Sequence, residues 1–399
     1  MTESPVTTAT ALPAPWPLPS PPEHAYRELE FRYGGVAFSC LVSDSLYDDQ
    51  LAHLAHYLPA AEPEQPPVAT HRVRVTCDEQ LYRGLVPERG PDGLETAFGS
   101  DTYAMWRLPG ARLLRPHPPF SAWLHDDHLF AVAEGVTDIV THPGTAGPCT
   151  YLMYVLREVL LRAQEDNGGV LFHAACAVAG GRSALIVGEK GAGKTTTLSA
   201  LVGGGAMSFC ANDRTFVLGP SPRTVAVPVA LRLGYGLVEA TPPLREYVRG
   251  GRLFRPQVRG SEPTGAPEEF GSRVKHIVTP AEFAMAMGTA LSTGGRLSLL
   301  LFPSLSDDDR PFHSASVSAE EARRLLASSC YTPADPAFVR PRFRTPLSSP
   351  EQRAAQAARV CRALPREVPA YRIGWGVRRD PAETHRDLRA LCASHGWWA

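Results

Sequence analysis

Lysine is almost absent from the 399-residue chain: of its 40 basic residues only Lys190, Lys194 and Lys275 are lysines. An excess of charge is missing as well. Lys plus Arg number 40 against 41 Asp plus Glu, a net charge of -1, which argues against a strongly basic nucleic-acid binder and a polyacidic disordered chain. No run of about 18 apolar residues occurs, so neither a transmembrane helix nor a membrane partner is expected. The first residues lack the basic stretch and apolar core of a secretory signal. The eight cysteines stand singly, and none is spaced as CxxC. A zinc ribbon or thioredoxin-type site is therefore not expected, and reduced thiols in a cytoplasm are.

What is present is ordinary globular material, with 44% hydrophobic residues and length enough for two or three domains. Residues 1–25 hold seven prolines and little that forms a core, and read as a disordered, Pro-rich tail. Residues 26–145 read as a small β-rich domain. Two short strands flank Gly34-Gly35, a helical stripe runs from Leu46 to Leu58, and His71–Thr76 alternates like a strand. Residues 85–100 read as a loop. This region names no ligand, and by exclusion it is assigned to substrate recognition or assembly. The pairs His53/His56 and His125/His128 lack a third ligand at convincing spacing and read as surface histidines.

Residues 146–399 read as an α/β domain. An amphipathic helix at Cys149–Glu165 is followed by apolar strands, a glycine-rich loop and a further helix, and then by alternating strands and helices to the C-terminus. The stretch 250–275 reads as a mobile loop.

The glycine-rich loop carries the chemistry. Gly188-Glu189-Lys190-Gly191-Ala192-Gly193-Lys194-Thr195 fits the P-loop pattern without a mismatch, after an apolar strand and before a helix. The glycines reach dihedrals closed to other residues, so successive N–H groups turn inward at the positive end of a helix. Lys194 brings a compact charge toward the β and γ phosphates, and Thr195 offers its hydroxyl to Mg²⁺. Thr196 adds a donor at the helix start, while Lys190 occupies a freely varying position. ATP and Mg²⁺ are the expected ligands.

Two further residues are placed there by spacing. Asp213 follows Lys194 by 19 residues, enough for a helix of three to four turns and a strand beside the P-loop strand, so that Asp213 emerges at its carboxyl end. His173 precedes Gly188 by 15 residues, and two antiparallel strands joined at Gly180-Gly181 bring it to the same phosphate. Lys275 and Arg273, two apart, share one face of a strand and could neutralise charge on a transferring phosphate. An ATPase switch would need a later strand-end acid. The strand Arg296–Phe302 ends in Pro303-Ser304, and Asp307–Asp309 come past its end. No NKxD-type guanine motif occurs. Leu291–Gly295 and His385-Arg386-Asp387 match known signatures by letters alone and are set aside.

His173-Ala174-Ala175, a strand pair, the P-loop and then Asp213-Arg214 after one helix together resemble HPr kinase/phosphorylase and its relatives. Among these are the kinases of lasso-peptide precursors and the core of phosphoenolpyruvate carboxykinase. The resemblance covers about 170–218, continues weakly toward the C-terminus and does not reach 1–140. It implies an α/β P-loop kinase core that transfers the γ-phosphate of ATP to a hydroxyl, commonly seryl, of a peptide, protein or small metabolite. In that frame Lys194 and the loop amides hold the phosphates, Thr195 and Asp213 bind Mg²⁺, Asp213 serves as base, and His173 contacts the transferred phosphate or orients the acid. Relatives carry Asp-Asp where this chain has Asn212-Asp213. An asparagine can offer a carbonyl to Mg²⁺ but takes no proton, which leaves a non-catalytic ATP-binding subunit as the alternative. The resembling kinases assemble into oligomers, and a homo-oligomer is left open.

Overall fold

The computed structural model describes residues 25–59, 66–85, 90–97, 101–119, 126–145, 147–251, 275–336, 338 and 340–397. The Pro-rich tail, most of the stretch 250–275, His125 and Arg273 lie outside them. The chain is mixed α/β, with two large sheets. No helix among the described residues is long and apolar enough to cross a membrane.

The first sheet is built from β1 (Tyr26–Tyr33), β2 (Val36–Ser43), β3 (Ala69–Cys77), β4 (Gly93–Ala97), β5 (Asp101–Leu108), β6 (Ala111–His117), β7 (His128–Ala133) and β8 (Val136–Thr141), in the order β1-β2-β3-β8-β7-β6-β5-β4. Gly34 and Gly35 turn the first hairpin with φ of +57° and +79°, the left-handed pair that a two-residue turn between twisted strands requires. Helix α1 (Asp44–Ala55) carries the chain across to β3, which runs parallel to both β2 and β8. The stretch 85–100, expected as a loop, contributes β4, which pairs with β5 from Gly93↔Met105 to Ala97↔Asp101. Helix α2 (Glu79–Gly84) precedes it, capped by Asp78. Pairing with β5 overrides the weak strand tendency of Gly-Leu-Glu-Thr-Ala.

Helix α3 (Thr150–Asp166) is not the one-sided helix its stripe suggested. Thirteen of its 17 residues are buried, because both sheets pack on it. Leu152, Leu156, Val159 and Leu160 join Val36, Phe38, Val73 and Val75 of the first sheet, while Leu161 joins Leu171 and Phe216 of the second. Its polar residues are consequently paired. Glu158 accepts from Arg342 Nη1 at 3.1 Å and from the Phe343 amide at 2.9 Å.

The histidines read as surface residues are, where described, mostly interior. His128 is fully buried, stacked on Tyr151 at 3.7 Å between ring centroids, with Nε2 against Tyr103 Oη and Nδ1 against Asp127 Oδ1. His53 packs on Tyr57, and burial pushes its pKa down to about 3. Burial of β7 on both faces and the helical period of α1 turn these rings inward, a direction that the His-x-x-His spacing does not encode.

The second sheet comprises β9 (Val170–Phe172), β10 (Ala174–Ala179), β11 (Arg182–Val187), β12 (Ser208–Ala211), β13 (Thr215–Leu218), β14 (Arg223–Ala226), β17 (Arg296–Ser306), β18 (His313–Ser316) and β19 (Ala370–Gly376). Its path is β12-β10-β11-β17-β14-β13-β9, with β19 on β17 and β18 on β19. Both faces are covered. Ala184, Ile186, Leu299 and Leu301 pack on α4 (Lys194–Val202), α7 (Pro280–Ala286) and α10 (Pro381–Ala393). The alternate residues Leu185, Val187, Leu300 and Phe302 pack on α8 (Ala319–Ser328) and α9 (Pro350–Glu367). This explains why these strands read as unbroken apolar runs. The ribbon β15 (Leu231–Gly234) with β16 (Lys275–Val278) and the helices α5 (Tyr235–Ala240) and α6 (Pro242–Arg249) complete the α4 side. Leu291–Gly295 is sheet scaffolding. A Cβ on Gly294 would meet the Thr224 carbonyl oxygen at 1.8 Å, so glycine there lets two backbones touch.

Candidate functional site

The P-loop leaves β11 at Val187 and enters α4 at Lys194. Gly191 and Gly193 have φ of +89° and +99°, which side chains disfavour. Glu189 and Lys190 stand exposed on the loop, and Ala192 donates its amide to the Glu189 carbonyl at 3.2 Å. The Lys194 ammonium is buried and turned back on its own loop, donating to the carbonyls of Gly188 (2.6 Å) and Glu189 (3.0 Å). Burial pulls its pKa down to about 8, partly offset by the charge of Asp213.

The strands deliver His173 and Asp213 to the mouth of this loop. β10 and β11 are antiparallel about Gly180-Gly181, with Ala174 facing Val187, so His173 is level with Gly188. β12 lies beside β10, not beside the P-loop strand as the spacing suggested. The helix between them is also shorter, nine residues ending in the Gly203-Gly204-Gly205 turn. Asp213 reaches the same place through a shared break in two strands. Thr215 faces Phe172 and Cys176 faces Ala211, one register on either side of a gap. In that gap Asn212–Arg214 lie opposite His173–Ala175, and side chains take over from the backbone ladder.

The contacts there are dense. His173 Nδ1 is 3.0 Å from Asp213 Oδ1 and 3.2 Å from the Asp213 carbonyl oxygen. Arg214 Nη1 holds the other carboxylate oxygen of Asp213. Burial alone would raise the Asp213 carboxyl. The hydrogen bond from His173 and the charges of Arg214, His173 and Lys194 outweigh it and hold the pKa below the usual carboxylate range. Arg214 is in turn anchored by the buried Asp335, Nε to Oδ2 at 2.6 Å and Nη2 to Oδ1 at 3.0 Å. Tyr331 stacks on His173 at 5.2 Å. Neither Tyr331 nor Asp335 was legible in the sequence, because they come from a segment more than 110 residues downstream that carries no motif. Asn212 Oδ1 is buried without a hydrogen-bond partner among the described residues.

All of this opens on one cleft of about 2140 Å³, lined by His173, Lys194, Thr195, Thr196, Asn212 and Asp213 among others. Lys190 and Lys275 stand on its rim, Lys275 exposed at the start of β16 opposite Gly234. β17 runs parallel to β11 and is longer than expected, reaching Ser306. Ile186 faces Leu301, which puts Pro303 level with Gly188. Asp307 thus stands roughly 13 Å farther along the strand, and it is ion-paired to Arg378 at 2.9 Å. The hard oxygens needed for Mg²⁺ are present at the loop: the Asp213 carboxylate, the Thr195 hydroxyl and the unpartnered Asn212 carbonyl. No family model matches the chain, and no curated protein is detectably similar to it.

Proposed function

We propose that this chain is a Mg-ATP-dependent phosphotransferase of the HPr kinase-like type, moving a γ-phosphate to a hydroxyl of a peptide, protein or small metabolite. The observation that carries the reading is the convergence of a P-loop lysine and a His–Asp–Arg cluster on one cleft. The parallel neighbour strand brings Pro303 level with Gly188, and its first carboxylate, Asp307, lines the cleft from farther along, ion-paired to Arg378.

Lys194 exchanges its two loop carbonyls for phosphate oxygens, aided by the amides of Gly191–Thr195. Mg²⁺, when bound, neutralises phosphate charge, and Asp213, Thr195 and Asn212 are the residues that would hold it. The acceptor oxygen forms its bond to phosphorus as the bond to the leaving ADP oxygen breaks. The hydroxyl proton passes to Asp213, a weak base that suffices where bond making lags and positioning dominates. His173 fixes one carboxylate oxygen of Asp213, and Arg214 fixes the other. Asp335 keeps Arg214 from leaving.

The test is transfer of labelled γ-phosphate from Mg-ATP into peptide and metabolite fractions of the host, with Lys194→Ala, Asp213→Ala and Asn212→Asp run in parallel. A product made by the wild type, and reduced at least about 100-fold in the first two variants, supports the reading. ATP bound without transfer to any acceptor, in the wild type and in Asn212→Asp alike, replaces it with a non-catalytic nucleotide-binding subunit.

A further inference from the structure

The cleft holds more positive charge than a nucleotide calls for. Eight Lys and Arg side chains line it against three Asp and Glu, in a chain whose net charge is -1. Each of the three carboxylates already has an arginine. Asp213 has Arg214, Glu239 has Arg249 at 2.6 Å, and Asp307 has Arg378 at 2.9 Å. Arg232 and Lys275 have no ion-pair partner among the described residues.

Both belong to one face of the β15–β16 ribbon. Leu231, Leu233 and Val278 point into the protein and are buried. The alternate residues line the cleft, with Arg232 opposite Ile277 and Gly234 opposite Lys275. Strand alternation thus puts two cations and an apolar side chain, Ile277 at 38% exposure, on one wall. That wall is continuous with the His–Asp–Arg cluster. The Val227 amide donates to the Arg214 carbonyl at 3.1 Å. Arg157 of α3 holds the next residue, its Nε donating to the Pro228 carbonyl at 2.6 Å, and it lines the cleft as well. Arg232 comes five residues after Val227, at most about 17 Å of extended chain.

We infer that this wall is the acceptor subsite and that the acceptor is an acidic peptide. Its hydroxyl residue lies at Asp213, and carboxylates within about five residues of it meet Arg157, Arg232 and Lys275. The placement of the hydroxyl rests on the phosphotransferase reading, whereas the peptide rests on the cleft itself. Two features select a peptide over a small anion. At about 2140 Å³ the cleft exceeds the roughly 300–1,000 Å³ of a site for one small molecule. The three cations are also strung along the wall, so that a lone carboxylate meets one of them and leaves the others unused. Ile277, between the cations, receives an apolar side chain or the methylenes of a glutamate.

The experiment measures binding of labelled peptides to the full-length protein by fluorescence anisotropy, in saturating Mg-ADP. Each peptide carries one central serine flanked on both sides by glutamate, glutamine or lysine. The glutamate peptide is expected to bind at least about tenfold more tightly than the glutamine peptide, with an affinity that falls as salt rises. Arg232→Glu with Lys275→Glu should reverse the order, so that the lysine peptide binds best. The milder Arg232→Gln with Lys275→Gln should abolish the preference, and it serves if circular dichroism shows the reversed variant unfolded. Equal binding of the glutamate and glutamine peptides by the wild type, or an unchanged preference in the variants, overturns the proposal. So does displacement of the peptide by free glutamate at equal concentration, which makes the acceptor a metabolite, or by oligothymidylate, which makes the wall a nucleic-acid site. Transfer from labelled Mg-ATP to the same peptides separates the two readings. A glutamate peptide that is held but never phosphorylated leaves the subsite in place and counts against the phosphotransferase alone. A glutamine peptide phosphorylated as fast as the glutamate one overturns the subsite alone.

Discussion

Lys194 is the residue whose environment is most at odds with its chemistry. Its charge is desolvated and satisfied only by two carbonyls of its own loop, so a bound polyphosphate gains a partner already freed of water. With a free-protein pKa of about 8, the lysine is charged at pH 7 and mostly neutral at pH 9. Phosphates favour the charged form, so binding takes up a proton above pH 8. Nucleotide affinity is therefore expected to fall roughly tenfold between pH 7 and pH 9, as read by titration calorimetry. A flat profile would place the ammonium outside the phosphate site. Asp213 behaves in the opposite sense. Its lowered pKa contributes stability that is present above the unfolded carboxyl value and lost as pH falls through the folded one. The unpartnered carbonyl of Asn212 is the residue-scale feature that an aspartate at this position would change most, by putting a charge on a buried oxygen.

At the scale of elements, the P-loop conformation rests on glycine as well as on the Lys194 side chain that ties back its carbonyls. Gly193 caps α4 with φ +99°, and a Cβ there would come within 2.4 Å of Leu305 at the end of β17. Gly193→Ala is expected to leave the sheets folded and to weaken nucleotide binding by about tenfold or more, the cost of about 1–2 kcal/mol for a left-handed non-glycine residue. Circular dichroism beside a binding titration checks this, and undiminished affinity would contradict it. The longer helices and most strands of residues 146–399 were legible because their periods are regular, while the short helices α5, α6 and α7 were not. The runs Ala184–Val187 and Leu297–Phe302 announced buried strands, and Ser318, Ser349 and Asp380 mark helix starts that the structure caps with those side chains. The β15–β16 ribbon was not legible, because four-residue strands far apart in sequence carry too little pattern. The true neighbour of β12 escaped as well, since helix length limits reach without choosing a partner.

At the scale of the whole molecule, α3 joins the two sheets and Glu158 is its polar anchor. The carboxylate receives two backbone amides and the guanidinium of Arg342. The Arg342 carbonyl in turn accepts Arg112 Nη2 of β6 at 2.6 Å. Glu158→Ala removes the buried acceptor of two backbone amides and of the Arg342 guanidinium, which is expected to cost about 3–5 kcal/mol in chemical denaturation. A loss under about 1 kcal/mol would show the pair to be dispensable to the packing of the first sheet on α3.

The sequence by itself determined the parts whose information is local. The P-loop is spelled by contiguous residues, its strand and helix by hydrophobic period, and the approach of His173 to the loop by a hairpin whose turn is two glycines. Only the tertiary structure decided what depends on long-range packing. It turned His53 and His128 into the core, set β10 between β12 and the P-loop strand, and brought Asp335 and Tyr331 onto Arg214 and His173. These outcomes depend on how sheets stack and on which segments cross over them, and chain separation alone fixes neither.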